Sequence, residues 1–349
     1  MKRLDDEVKR RRYDSQGMID VIDRFARQCE EAIEKGKGFS LPEMGKIDRV
    51  VVCGMGGSAM AGDIARRFSR VILAVNRSYT LPAFVDSQTL IVAISYSGNT
   101  AETLSSFAQG LETGASVLAI SSGGRLEEIS KAHGIPFLKV PSGYQPRAAM
   151  GYLALPLLVV LSKLGLLNET GSWEALLQGL VRVRDRCTFS APGKDNPAKR
   201  LAHTLSGRVP VIYGTVDNTD LVAMRFKTQI NENAKQPAFW NVFPELNHNE
   251  ILALMRSDLL ANQHIILLQN DYDLRQNRAR MEIMTGLFEK HNVPFTVLRA
   301  EGEGELAQIL SQIYFGDYVS YYLALLNEVD PTPVTLIEEF KKELAKREA

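Results

Sequence analysis

Cysteine is scarce in this chain. Its three cysteines among 349 residues, Cys29, Cys53 and Cys187, lie far apart, form no CxxC pair and have no histidine near them in sequence. That argues against a disulfide scaffold and a zinc–thiolate site, and free thiols in this number fit a reducing cytoplasm. An excess of either charge is also missing. Lys+Arg and Asp+Glu both total 41, so the formal net charge is zero, which speaks against a nucleic-acid binder and against a polybasic membrane partner. There is no long apolar run. The longest, Leu153 to Leu161, contains Pro156 and falls well short of the ~20 residues that span a bilayer. The first residues, Met1-Lys2-Arg3-Leu4-Asp5-Asp6-Glu7, are too charged for a signal peptide. What remains, 45% apolar and 23% charged, is the composition of a soluble intracellular protein, long enough for two domains that each bury a core.

Along the chain, dense charge of both signs over 1–12 gives way to apolar residues at helical spacing from Met18 to Lys35, ended by a Gly/Pro-rich stretch at 36–42. The rhythm then changes. Short apolar strands are expected at 47–53, 71–75, 89–94, 116–120 and 136–140, alternating with helices at 58–69, 100–112 and 124–133. The apolar segment 148–166 reads as a buried helix, and 168–195 as a helix and a polar connector ending in Pro192-Gly193. The pattern restarts beyond it, with strands at 209–213, 264–269 and 294–298, helices between them and a last helix over 335–346. Continuously apolar strands alternating with helices indicate parallel sheets covered on both faces. The expected fold is α/β: an N-terminal helical segment (1–45), then two tandem doubly wound, flavodoxin-like domains (46–193 and 194–349), with a site in the cleft between them.

Two strand-to-helix junctions carry the chemistry. Gly54-Met55-Gly56-Gly57-Ser58-Ala59 follows the first strand and opens a helix, where glycines allow close backbone approach and the helix N-terminus offers N–H groups to an anion. A tight turn alone would read the same. The segment also matches the dinucleotide fingerprint, which wants an acidic residue after the next strand; Asn76-Arg77 stands there, and an arginine suits the 2′-phosphate of NADP. The second junction separates these readings. Ser95-Tyr96-Ser97-Gly98-Asn99-Thr100 places three hydroxyls and a glycine at another helix start. Two hydroxyl-rich loops at adjacent strand ends make a cradle for one phosphate, built from Gly56, Gly57, Ser58, Ser95, Ser97 and Thr100. A dinucleotide site does not need the second loop.

With these loops the chain resembles the sugar isomerase domain family, which binds phosphosugars. Asn231-Glu232-Asn233-Ala234-Lys235 and Pro244-Glu245-Leu246-Asn247-His248-Asn249-Glu250 narrow the resemblance to the bifunctional phosphoglucose/phosphomannose isomerases of archaea and bacteria, over nearly the whole chain from about residue 45. Aldose–ketose interconversion needs a ring-opening group, a base that moves a proton between C2 and C1, a cation for the enediolate and a phosphate site. Nothing in that set requires a metal or a redox cofactor, and none is expected.

Glu232 is the candidate base, since a carboxylate suits the proton transfer and the family's base occupies this position. His248, an imidazole able to relay a proton near neutrality, is the candidate for ring opening. The two lie 16 residues apart with Pro237 and Pro244 between, so they do not share a helix face. In the family this histidine comes from the neighbouring subunit, which implies a homodimer. Arg147, before the small apolar run Ala148-Ala149-Met150-Gly151, offers a fixed charge for the enediolate, or a structural salt bridge at a helix start. The resemblance also implies a C-terminal lysine, matched to Lys341 with Lys342 beside it, and a threonine near 332–335 that bears on accepting mannose 6-phosphate, Thr332 or Thr335 or neither. Phe239, Trp240 and Phe243 read as core or dimer contacts rather than sugar-stacking groups. His133, His203, His264 and His291 are assigned no chemistry.

The expected activity is therefore interconversion of glucose 6-phosphate, and of mannose 6-phosphate, with fructose 6-phosphate through a cis-enediol. The rival readings are a non-catalytic phosphosugar sensor, for which a DNA-binding module would be needed beside the 45 residues that precede the first strand, another phosphosugar or amino-sugar isomerase on the same fold, and an NADP oxidoreductase.

Overall fold

Strands covered on both faces are predominantly apolar, and the first sheet shows the consequence: all six residues of Thr89–Ile94 are buried, and the hydroxyl of the first, Thr89, is satisfied by Asp86. The computed structural model describes residues 4–348. Its strands are β1 (Arg49–Cys53), β2 (Ile72–Asn76), β3 (Thr89–Ile94), β4 (Ser116–Ser121), β5 (Phe137–Lys139), β6 (Val209–Thr215), β7 (Phe239–Phe243), β8 (Gln263–Gln269) and β9 (Phe295–Arg299). Its helices are α1 (Glu7–Tyr13), α2 (Met18–Asp23), α3 (Phe25–Gly38), α4 (Gly56–Phe68), α5 (Ala101–Gly110), α6 (Gly124–Ala132), α7 (Met150–Lys163), α8 (Trp173–Cys187), α9 (Pro197–Leu205), α10 (Asp220–Ala234), α11 (Ser257–Leu260), α12 (Arg275–Lys290), α13 (Glu305–Leu326) and α14 (Thr335–Glu348). The strands form two parallel sheets, in the orders β2-β1-β3-β4-β5 and β7-β6-β8-β9. Among the described residues, no helix is long and apolar enough to cross a membrane.

By contact the chain falls into two units. One comprises Arg24–Val181 with Gly302–Ala307; the other comprises the segment up to Asp23, Arg182–Glu301 and Gln308–Ala349. The N-terminal stretch contributes to both units. Asp5 accepts from Lys199 Nζ (2.8 Å) and from the Gly193 amide (3.1 Å). Asp14 accepts from Tyr321 Oη (3.0 Å), and Asp23 from Tyr318 Oη (2.6 Å) and Thr188 Oγ1 (2.8 Å). All these partners lie in the second-sheet unit. From Phe25 onward the chain packs elsewhere: Gln28 on α3 donates to the Ala148 carbonyl (2.9 Å) and accepts from the Gly151 amide (2.7 Å), fixing α3 to the start of α7. The helix expected over 18–35 is accordingly two helices, α2 and α3, with Arg24 at φ −84°, ψ 1° between them.

In the first-sheet unit, Val51, Cys53, Ile91, Ala93, Val117 and Ala119 meet Phe107 of α5 and Leu126 of α6 in one apolar layer. Burial pushes the Cys53 thiol up to about 11, and all three cysteines are free and buried. In the second-sheet unit, Val211, Tyr213, Ile265 and Leu267 pack on Met281, Met284 and Phe288 of α12, spaced to share one helix face. β7 is an edge strand that the sequence reading passed over. Its Phe243 is fully buried in this core, while Phe239 and Trp240 remain exposed.

Candidate functional site

In the first sheet, β1 runs into Gly54, beside β3 in the register Cys53↔Ala93. A Cβ on Gly54 would lie 3.0 Å from the Ile94 carbonyl and from Ser58, so the close approach of the β3 end and the start of α4 favours glycine. The next residue, Met55, is extended, and no side chain caps α4. From β3 the chain enters the second loop. Ser95 Oγ lies 2.9 Å from Thr100 Oγ1, Ser97 Oγ accepts from the Asn99 amide (3.2 Å), and Thr100 opens α5, again without a side-chain cap. Gly98 has φ +70°, and a Cβ there would come within 1.8 Å of the Gly123 carbonyl. β1 continues to β2 on one side while β3 leads to β4 on the other, so this is the switch point of the sheet. The structure brings the loops of Gly56, Gly57, Ser58, Ser95, Ser97 and Thr100 to this one edge. Ser58 and Ser95 are buried, Thr100 is half-buried and Ser97 is exposed.

Arg147 sits in a short 3-10 turn, Pro146–Ala148, directly before α7, and is 4% exposed. Two residues that sequence reasoning missed hold this turn and the segment that leads into it. One is Gln28, through Ala148 and Gly151. The other is Tyr96 of the second loop, whose hydroxyl donates to the Pro141 carbonyl (2.9 Å) and accepts from the Tyr144 amide (2.9 Å). The Arg147 approach is thus tied to the hydroxyl loop itself. A tyrosine amid small polar residues was the available signal.

The same edge bears on the dinucleotide reading. The Arg77 guanidinium pairs with the buried Asp63 carboxylate of α4, so its charge is engaged by the protein. Asn76 Nδ2 donates to Ser106 Oγ (2.9 Å) and to the Thr80 carbonyl (3.0 Å). The end of β2 offers neither a ribose acid nor an uncommitted cation.

Glu232, His248 and Lys341 belong to the second-sheet unit. Glu232 is half-buried in the last turn of α10. The buried face of that helix carries Gln229, whose Nε2 donates to Asp317 Oδ1 (2.6 Å), Arg225, whose Nη2 reaches the same oxygen (3.4 Å), and Asn233, whose Nδ2 donates to Ser320 Oγ (2.9 Å). Beyond Glu232, Lys235 turns left-handed at φ 52°, its Nζ donates to the Glu232 carbonyl (2.6 Å), and Asn327 Nδ2 donates to the Ala234 carbonyl (3.0 Å). The turn that carries Glu232 is therefore pinned on both sides.

His248 is exposed, in a 3-10 turn over Glu245–His248 after β7. Glu250 anchors this segment. Its Oε1 accepts from Tyr213 Oη (2.9 Å) on β6 and its Oε2 from Asn241 Nδ2 (2.5 Å) on β7. Burial, then the Glu250 charge, raises the Tyr213 hydroxyl above its ordinary range, so it stays a donor. Asn249 caps the Glu250 amide (2.6 Å). Lys341 and Lys342 are both exposed on α14, Thr332 is buried and Thr335 exposed. No cluster of three or more His, Cys, Asp or Glu suited to a metal ion occurs among the described residues.

Comparison with known proteins matches residues 194–344 to the bacterial phospho-glucose isomerase C-terminal SIS domain. The chain is 41% identical over 335 residues to a bifunctional phosphoglucose/phosphomannose isomerase of Caldicellulosiruptor bescii, covering 94% of this chain and 99% of that one. It is 36% identical over 305 residues to the protein of the same description from Aquifex aeolicus, covering 85% and 90%. A solved structure of a hypothetical protein from Thermus thermophilus superposes with a TM-score of 0.76 at 16% identity, covering 98% of this chain and 94% of that one. The last likeness concerns the fold alone.

Proposed function

The chain belongs to the family of bifunctional phosphoglucose/phosphomannose isomerases, and from that premise we propose that it interconverts glucose 6-phosphate and mannose 6-phosphate with fructose 6-phosphate. The observation that carries this reading is the pair of loops at the switch point of the first sheet, in a chain that matches such isomerases along almost its full length. Uncapped starts of α4 and α5 and the hydroxyls of Ser58, Ser95, Ser97 and Thr100 suit a phosphate dianion, with Gly56 and Gly57 leaving the backbone amides accessible. Both ends of the reaction are isomeric, so the chemistry is a proton transfer that consumes no external oxidant. His248 opens the ring. Glu232 removes the C2 proton and returns it to C1 through the cis-enediol, and Arg147 stabilises the enediolate oxygen. Lys341 is the C-terminal lysine of this scheme. The free, buried cysteines suit a cytoplasmic enzyme.

In this proposal the working unit is a homodimer in which His248 serves the partner's site. The test is complementation between two inactive variants, Glu232→Gln and His248→Ala. Mixed by co-refolding, they regain about a quarter of wild-type activity if the site is shared, because random pairing makes half the dimers mixed and each mixed dimer has one intact site. Sites confined to one chain would each keep one defect, and no activity would return.

A further inference from the structure

The two sheets repeat one topology. β1 leads to β2 on one side and the chain returns to β3 on the other; β6 leads to β7 on one side and the chain returns to β8 on the other. A crevice at the carboxyl ends of adjacent strands is therefore built twice, between β1 and β3 and between β6 and β8. The register Tyr213↔Leu267 brings the ends of β6 and β8 side by side.

The second crevice is lined much as the first is. Thr215 ends β6, Asn218 and Thr219 lead into α10, and Asn270 follows β8. Thr219 Oγ1 accepts from the Thr215 amide (2.8 Å) and lies 3.1 Å from Thr215 Oγ1. Here, however, the crevice holds a carboxyl group of its own. Asp273, on the loop after β8, is 3% exposed. Its Oδ1 accepts from Thr215 Oγ1 and from Asn218 Nδ2 (3.0 Å), and its Oδ2 accepts from the Asn270 amide (2.8 Å). A local turn would need the Asn270 bond alone. The other two bonds reach residues 58 and 55 positions away in sequence, on the neighbouring loop. A hydroxyl, a side-chain amide and a backbone N–H converging on an oxyanion, beside the uncapped start of α10, are what a phosphate would meet there.

We propose that the Asp273 carboxylate fills the second crevice as a built-in substitute for a phosphate group, closing an anion site that the repeated topology would otherwise leave open, so that each chain carries one open phosphate cradle, in the first sheet. The comparison with the first crevice rests on its phosphate reading, but the test below reads stability and stoichiometry rather than turnover, so the two fail separately.

Asp273→Ala in the full chain removes the carboxylate and leaves the three donors around a space that a small carboxylate can refill. Melting of the variant is followed against sodium formate and sodium acetate, with sodium chloride at equal ionic strength as control. The expected result is a rise in melting temperature of about 2 °C or more with formate or acetate for the variant, with no such rise for the wild type. An equal response of both proteins, or the same response to chloride, overturns the proposal. Wild-type protein gives a second measurement that does not depend on the variant folding. Equilibrium dialysis with labelled inorganic phosphate is expected to reach no more than one phosphate per chain; two per chain would show the second crevice open and overturn it.

Discussion

Replacing Glu250 with alanine removes the carboxylate that ties the His248 segment to β6 and β7. Two bonds go, from Tyr213 Oη and Asn241 Nδ2. The Tyr213 residue is 5% exposed, so its hydroxyl is left without an acceptor, at a cost of about 1–3 kcal/mol; the half-buried Asn241 amide rehydrates more readily and adds about 1 kcal/mol. The turns from Glu245 to Arg256 bury little else, chiefly Leu246 and Leu254, so a loss of about 2–4 kcal/mol is felt locally. If it is expressed fully in the placement of His248, kcat/KM for fructose 6-phosphate falls by at least about 30-fold. The assay is steady-state kinetics on Glu250→Ala, His248→Ala and the double variant. If Glu250 acts through His248, its replacement has little further effect once the imidazole is gone. The same fold-loss in both backgrounds, or unchanged kcat/KM in the single variant, would refute the reasoning. Tyr213→Phe removes the donor along with its bond, and its loss should be smaller than that of Glu250→Ala.

Gly98→Ala should abolish phosphosugar binding and lower the melting temperature, because the new Cβ meets the Gly123 carbonyl at 1.8 Å and φ is +70°; calorimetric titration with fructose 6-phosphate checks it. His264 gives a pH signature. Burial, then the Arg208 charge, depresses its imidazole to about 4, so between the unfolded value of 6.5 and 4 the unfolded chain binds a proton that the folded chain refuses. Its contribution is fully present above pH 6.5 and is lost as pH falls to about 4, on the order of 3 kcal/mol at 1.36 kcal/mol per unit. His264→Gln, which keeps a partner for Thr296 Oγ1, should flatten that limb of the unfolding free energy measured in urea. A difference curve that is level between pH 4 and 6.5 would contradict this.

The parts of the fold written in local pattern were legible. β3 runs over Thr89–Ile94, as the apolar run Leu90–Ile94 after Thr89 implies, and both hydroxyl loops stand between a strand and a helix. What was not legible depends on partners far away in sequence. The break between α2 and α3 has no glycine or proline; it follows from Asp23 bonding Tyr318, 295 residues on, while Gln28 bonds Ala148. β7 was hidden because Phe239-Trp240-Asn241-Val242-Phe243 mixes exposed and buried aromatics between two prolines, which reads as a connector rather than an edge strand. Around the candidate residues, the supports were not readable. Arg77 looked available for a nucleotide phosphate until its pairing with Asp63, 14 residues back, was seen. Nor does spacing reveal that Tyr96 holds the segment leading to Arg147 or that Glu250 anchors the segment that follows His248.

The most direct test of the central claim offers fructose 6-phosphate to the purified protein and to Glu232→Gln, and follows glucose 6-phosphate and mannose 6-phosphate separately with coupled enzymes. The account predicts both products from the wild type, a loss of at least about 100-fold in kcat for the variant, and unchanged binding of fructose 6-phosphate by both proteins. Turnover by Glu232→Gln at the wild-type rate, or binding of phosphosugar by the wild type without either product, would contradict it.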